Sequence, residues 1–169
     1  MKLKEIYILS GGTDSGKTSV LKEVISKKEN ILGILQIKVN NRRFLYNISN
    51  KRSYALEMEE KNDSTFSIGR FHFAKSVFIK VQDEILSQIQ NHNELIIIDE
   101  VGPLELKDCG HYDLIIKLLN QNLSQKLLFV TRSSLLDLVI QKFKIIPIEV
   151  FRMPLSCDEL IPRLQIIRS

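Results

Sequence analysis

Glycine is scarce in this chain of 169 residues, which holds 7 where average usage would give about 12. Cysteine is scarcer: Cys109 and Cys157 stand far apart, which excludes a disulfide scaffold and a cysteine metal site, so both read as reduced thiols of a cytoplasmic protein. His72, His92 and His111 are scattered without ligand spacing, and no histidine metal centre is expected from them. No apolar run approaches the roughly 18 residues of a membrane-spanning helix. Met1 to Ser10 lacks the apolar core and small-residue cleavage site of a signal peptide. Charge of one sign is also lacking: 24 Lys+Arg against 20 Asp+Glu leave +4, enough to favour anionic ligands and too little to imply nucleic acid. What is present, 44% hydrophobic and 26% charged residues, is the composition of one globular domain of ordinary size spanning 1–169.

The chain alternates strand-like and helix-like patterns. Glu5 to Leu9 is a short β-rich run, and Lys17 to Lys28 repeats apolar residues on one helical face through Val20, Leu21, Val24 and Ile25. Ile31 to Val39 predicts a second strand. Arg43–Ile48 and Arg52–Met58 flank Ser49-Asn50-Lys51 and predict a β-hairpin insertion at about 40–60. Thr65 to Phe73 is expected to be extended and 75–90 helical. Leu95 to Ile98 is a continuous apolar run, as in a strand buried on both faces. A helix over Tyr112–Leu123, a strand over Leu127–Val130, a helix over Ser134–Phe143 and a strand over Ile145–Phe151 follow. Ser156 and Glu159 form a capping box for a last helix to about Ile166, with Pro162 awkward in its middle. Strands separated by helices of this length predict an α/β fold: three layers around a mainly parallel sheet with right-handed crossovers.

The few glycines are not evenly spread. Gly11, Gly12 and Gly16 fall within Gly11-Gly12-Thr13-Asp14-Ser15-Gly16-Lys17-Thr18, which fits the Walker A pattern of a phosphate-binding loop between strand and helix. There, successive backbone N–H groups converge on phosphate oxygens, and the following helix directs its positive end at the same anion. Lys17 is expected to reach the β- and γ-phosphates and Thr18 to place its hydroxyl on Mg²⁺. Downstream, Ile96-Ile97-Ile98-Asp99-Glu100 is an apolar strand ending in carboxylates, the Walker B layout. Asp99 is the expected second metal ligand, and Glu100 the candidate base that orients and deprotonates an attacking water. An enzyme passing phosphate to an acceptor must exclude water, so the adjacent Asp-Glu pair favours a hydrolase.

The string Ile98-Asp99-Glu100-Val101-Gly102-Pro103-Leu104-Glu105-Leu106 closely resembles the Walker B segment of the THEP1-type nucleoside-triphosphatases, P-loop NTPases related to the RecA-like ATPases. Gly33, Val39, Arg42 and Arg43 before the hairpin, and Gly69-Arg70-Phe71 before a helix containing Phe78, resemble further segments of that family. The resemblance implies Mg²⁺-dependent hydrolysis of ATP, GTP and other nucleoside triphosphates with broad base specificity. It also implies a nucleotide pocket drawing on Val101, Gly102, Pro103, Leu104 and Glu105. The chain departs from the family at Ala74 and Ser76, where an acidic residue is frequent, and at Thr13-Asp14-Ser15 inside the phosphate loop.

Charge developing on the γ-phosphate calls for a further cation, for which Arg70 and Arg132 are candidates. Arg132 follows a strand and is expected at the same sheet edge as Asp99, and Thr131 beside it is a candidate γ-phosphate sensor. Arg42-Arg43 and Lys51-Arg52 are either a solvated face or a docking surface for an anionic partner. Two further activities stay open: a nucleotide or small-molecule kinase, whose usual arginine-rich lid is not evident, and a nucleotide-switched module binding a protein or RNA partner through the hairpin. No Asn-Lys-x-Asp guanine motif occurs.

Overall fold

Strand β1 (Ile6–Gly11) begins the structure, a computed structural model that describes residues 4–89 and 94–166. Helix α1 (Lys17–Lys27), β2 (Ile31–Val39), β3 (Arg42–Asn47), β4 (Arg52–Ala55), β5 (Glu57–Met58), β6 (Thr65–Ile68) and β7 (Phe71–Ala74) follow. Next come α2 (Lys75–Gln88), β8 (Leu95–Ile98), α3 (Pro103–Leu106), α4 (Tyr112–Asn120), β9 (Lys126–Arg132), a 3₁₀ turn at Ser133–Leu135, α5 (Leu136–Phe143), β10 (Glu149–Arg152) and α6 (Cys157–Arg163). His92 and the end of the helix expected over 75–90 lie outside the described residues.

The main sheet runs β10-β1-β9-β8-β2-β3-β4. Its first five strands are parallel, and β3 and β4 extend it antiparallel. Side chains alternate between faces along a strand, and the central strands sort accordingly. Ile6, Ile8, Ile96, Ile98, Leu127 and Phe129 join the core beneath α2, α4 and α5. Tyr7, Leu9, Leu95, Ile97, Leu128 and Val130 join the opposite core with Val20, Leu21 and Val24 of α1 and Leu160 of α6. Both faces are covered, which is why these strands read as unbroken apolar runs. The three layers and the mainly parallel sheet are as the sequence predicts.

The insertion differs from the expected single hairpin. Asn40 and Asn41, at φ 48° and 63°, link β2 directly to β3 through a two-residue turn in which both residues are left-handed, the geometry that matches strand twist. Arg52–Met58 is not one strand. It breaks at the fully buried Leu56, whose N–H donates to Arg43 O while its carbonyl accepts from Ala74 N–H. The chain changes sheets there, and β5 joins β7 and β6 in a separate three-stranded sheet. Thr65–Phe73 is likewise two strands, turning at Gly69-Arg70.

Smaller corrections have local causes. The last strand is shorter than expected because Pro147, lacking an N–H, precedes it; Ile148 N–H makes the first bond, to Ile6 O. Pro162 lies inside α6, one residue from its end, where it removes a single N–H from the last turn. Asn47, Asn50 and Tyr54 of the β3–β4 hairpin all donate to the Glu84 carboxylate on α2, which fastens the insertion to the rest of the fold.

Candidate active site

The strand order brings the expected residues to one sheet edge. Strand β9 lies between β1, which leads into the phosphate loop, and β8, which ends at Asp99. Gly16 turns the loop into α1 at φ 90°, a left-handed conformation that costs a side-chain-bearing residue and that glycine adopts freely. Asp14 is also left-handed, at φ 56°, so the loop curls tightly enough for the buried Lys17 to reach back across it. The Lys17 ammonium donates to Gly11 O at 3.0 Å and Gly12 O at 2.7 Å and lies 3.5 Å from Ser15 Oγ.

The loop opens on a cleft of about 460 Å³. Thr13, Asp14, Ser15, Gly16, Lys17 and Thr18 line one wall. Glu100 and Arg132 come from the ends of β8 and β9, and Gln36, Lys38 and Arg43 from the β2–β3 hairpin. Glu100 stands at φ 55°, a conformation rare for a residue with a side chain and concentrated at functional sites. Its carboxylate lies 3.5 Å from the Arg132 guanidinium.

Asp99 is buried behind this wall. Its carboxylate accepts from Gln36 N–H at 3.1 Å and Glu100 N–H at 2.9 Å. Burial, and then the Glu100 carboxylate, push its pKa up to about 7, against the opposing pull of those two N–H groups and of Lys17. A cation placed here would restore the anion.

The segment after Glu100 serves the loop, not the cleft. Val101, Gly102, Pro103, Leu104 and Glu105 do not line it. Glu105 is 2% exposed, and its carboxylate accepts from Gly102 N–H at 2.9 Å and His111 N–H at 2.8 Å. It is a clamp across the 102–111 loop, with a pKa raised by burial to about 7. Thr131 is similarly committed, its hydroxyl donating to Val101 O at 2.6 Å. His111 is buried against the Phe78 ring, with its pKa lowered by desolvation to about 3. His72 bonds Ser67 within the small sheet.

The arginines divide. Arg132 reaches the cleft, while Arg70 lies on the β6–β7 turn, exposed and outside the lining, 5.1 Å from the Phe71 ring centroid. Arg43 lies over the same ring at 4.1 Å, pairs with Glu57, and does line the cleft. The sequence reading puts Arg43 in a family-like segment and on a face either solvated or docking an anionic partner, not in the cleft, and it does not single out Gln36 or Lys38. The signal available for them was the Asn40-Asn41 turn, which fixes a register placing Lys38 directly opposite Arg43.

The chain matches the family model described as NTPase over residues 6–157. It belongs to that NTPase family. Over 95% of both chains it superposes on the crystal structure of THEP1 from the hyperthermophile Aquifex aeolicus, with a TM-score of 0.68 at 14% identity. It superposes equally, with a TM-score of 0.68 at 15% identity over 96% of both chains, on the solution structure of a human cancer-related nucleoside triphosphatase. At such identities the likeness shows the fold, the α/β P-loop NTPase architecture. No match was found among curated proteins. Among the described residues no helix is long and apolar enough to cross a membrane.

Proposed function

We propose that this member of the NTPase family is a single-domain enzyme that hydrolyses nucleoside triphosphates of several bases to the diphosphate and phosphate, with Mg²⁺. The observation that carries this reading is Glu100, held in a left-handed conformation at the cleft edge facing the phosphate loop. In this reading the loop's N–H groups and Lys17 hold the β- and γ-phosphates. Glu100 takes a proton from a water whose oxygen attacks the γ-phosphorus. The bond from that phosphorus to the β–γ bridging oxygen breaks, and the diphosphate leaves with the electron pair. Arg132 and Arg43 neutralise the γ-phosphate from two sides, with Arg43 taking the role expected of Arg70.

Like charges directly opposite on paired strands destabilise a sheet. Lys38 and Arg43 are such a pair; Glu57 offsets part of the repulsion at Arg43, and in this reading a triphosphate in the cleft they line offsets more. The hydroxyl of Thr18 and the carboxylate of Asp99 are hard oxygen donors. They fit Mg²⁺, which prefers few protein ligands and completes its shell with water and phosphate oxygens. When bound, the ion neutralises charge on the phosphates.

The test is Glu100→Gln, with phosphate release measured from ATP, GTP, CTP and UTP with and without Mg²⁺. Nucleotide affinity is expected to stay while turnover falls at least about a hundredfold. Hydrolysis at the wild-type rate would refute the assignment of the base. Phosphate release only on addition of an acceptor would indicate a kinase.

A further inference from the structure

Beyond the phosphate cleft, α1 and the β2–β3 hairpin enclose a second groove of about 700 Å³. This is the size of a small-ligand pocket, on the order of 300–1,000 Å³. Leu35, Ile37 and Tyr46 from the sheet and Ile25 from α1 supply its apolar surface. Charged side chains supply most of the rest. Lys22, Lys27, Lys28 and Lys51 line it against a single carboxylate, Glu29. Lys27 is bound to Asp158, whereas Lys22 and Lys51 have no hydrogen bond or ion pair among the described residues.

The groove is continuous with the cleft, because Lys22 and Ile37 line both. The stripe of α1 that carries Thr18, Lys22 and Ser26 at helical spacing runs from one to the other. An apolar floor with an aromatic ring, flanked by the ammonium groups of Lys22 and Lys51, suits a flat apolar body carrying its own anion. The nucleoside half of the triphosphate supplies the flat body but no further charge for these lysines.

We propose that the groove between α1 and the β2–β3 hairpin is a second ligand site, which takes a nucleoside monophosphate with its base on Tyr46 and Ile37 and its phosphate at Lys22 and Lys51. Occupancy alters turnover at the neighbouring cleft through the shared Lys22 and Ile37. The proposal rests on the reading of the phosphate loop only for what fills the adjoining cleft.

The protein is first saturated with Mg²⁺ and a β,γ-imido triphosphate analogue, and AMP, CMP, GMP and UMP are then titrated by calorimetry. One further equivalent of monophosphate is expected to bind. Lys51→Gln should weaken that step about fivefold, the size of an exposed ion pair, and leave hydrolysis without monophosphate unchanged. Tyr46→Ala should weaken it by at least as much. The proposal is overturned if no second equivalent binds, if binding is indifferent to Lys51→Gln, or if the monophosphate only displaces the analogue. It is equally overturned if a single-stranded oligonucleotide or an acidic peptide binds the groove and monophosphates do not. Failure of the analogue to bind sinks the phosphate-loop reading instead, since groove affinity is read from the monophosphate titration and its dependence on Lys51.

Discussion

Removing the Glu105 carboxylate is expected to cost stability in a way that depends on pH. In Glu105→Ala the N–H groups of Gly102 and His111 lose their acceptor. At about 1–3 kcal/mol for each stranded buried donor, the penalty is of order 2–6 kcal/mol. Against it stands the cost of burying the charge. Desolvation carries the carboxyl from the ordinary 4.5 to about 7, which corresponds to about 3 kcal/mol.

A raised carboxyl pKa means that the folded state holds the proton more tightly than the unfolded state. This cost is therefore absent below pH 4.5, grows as pH rises, and is complete above about 7. The alanine variant has no such group, and the contribution of Asp99 is common to both proteins and cancels. The stability gap between wild type and variant should accordingly be largest near pH 5 and smaller near pH 8, by roughly 2–3 kcal/mol. Urea denaturation of both proteins at the two pH values measures it. A gap that is constant, or that widens with pH, would mean that the two N–H bonds outweigh desolvation and that Glu105 is an ordinary anion in the fold.

Gly33→Ala should be severe, since a Cβ at φ 131° would stand 2.0 Å from Ile97 O on the neighbouring strand; a loss of about 4 kcal/mol or more is expected, and a urea midpoint close to wild type would contradict it. Thr131→Val leaves Val101 O without its hydroxyl donor and should cost about 1–3 kcal/mol while lowering kcat by loosening the backbone after Glu100. Unchanged turnover in that variant would detach Thr131 from the site. Burial raises the pKa of the Cys157 thiol, while Cys109 is partly exposed; a maleimide should therefore modify one thiol in the native protein and the second only after unfolding.

Where both faces of an element are buried, the sequence was sufficient. The apolar run of β8 is as read, because continuous burial writes itself as continuous hydrophobicity, and the bounds of β2 are as read although its burial fades after Leu35. It failed where the chain changes partners. Leu56 reads as the middle of a strand, yet its N–H bonds β3 of the main sheet and its carbonyl accepts from Ala74 of β7 in the second. The phosphate loop was legible because its function constrains consecutive residues. The Arg43 position was not, since it depends on cross-strand register. Glu105 was misplaced although a signal existed: it is the third residue of α3, reaching back to the N–H of Gly102 at the N-cap, and the Gly-Pro-x-Glu spacing that marks such a helix start was visible in the sequence.

The attachment of the hairpin to Glu84 has a mechanical consequence. Tilting the β3–β4 hairpin away would break the bonds that Asn47, Asn50 and Tyr54 make to that one carboxylate, together with the ladder that joins β3 to β2. The wall carrying Lys38 and Arg43 is thus an anvil, not a lid. In the proposed reading this wall presents Lys38 and Arg43 to the terminal phosphate, and a ligand one phosphate shorter would leave them farther from its charge.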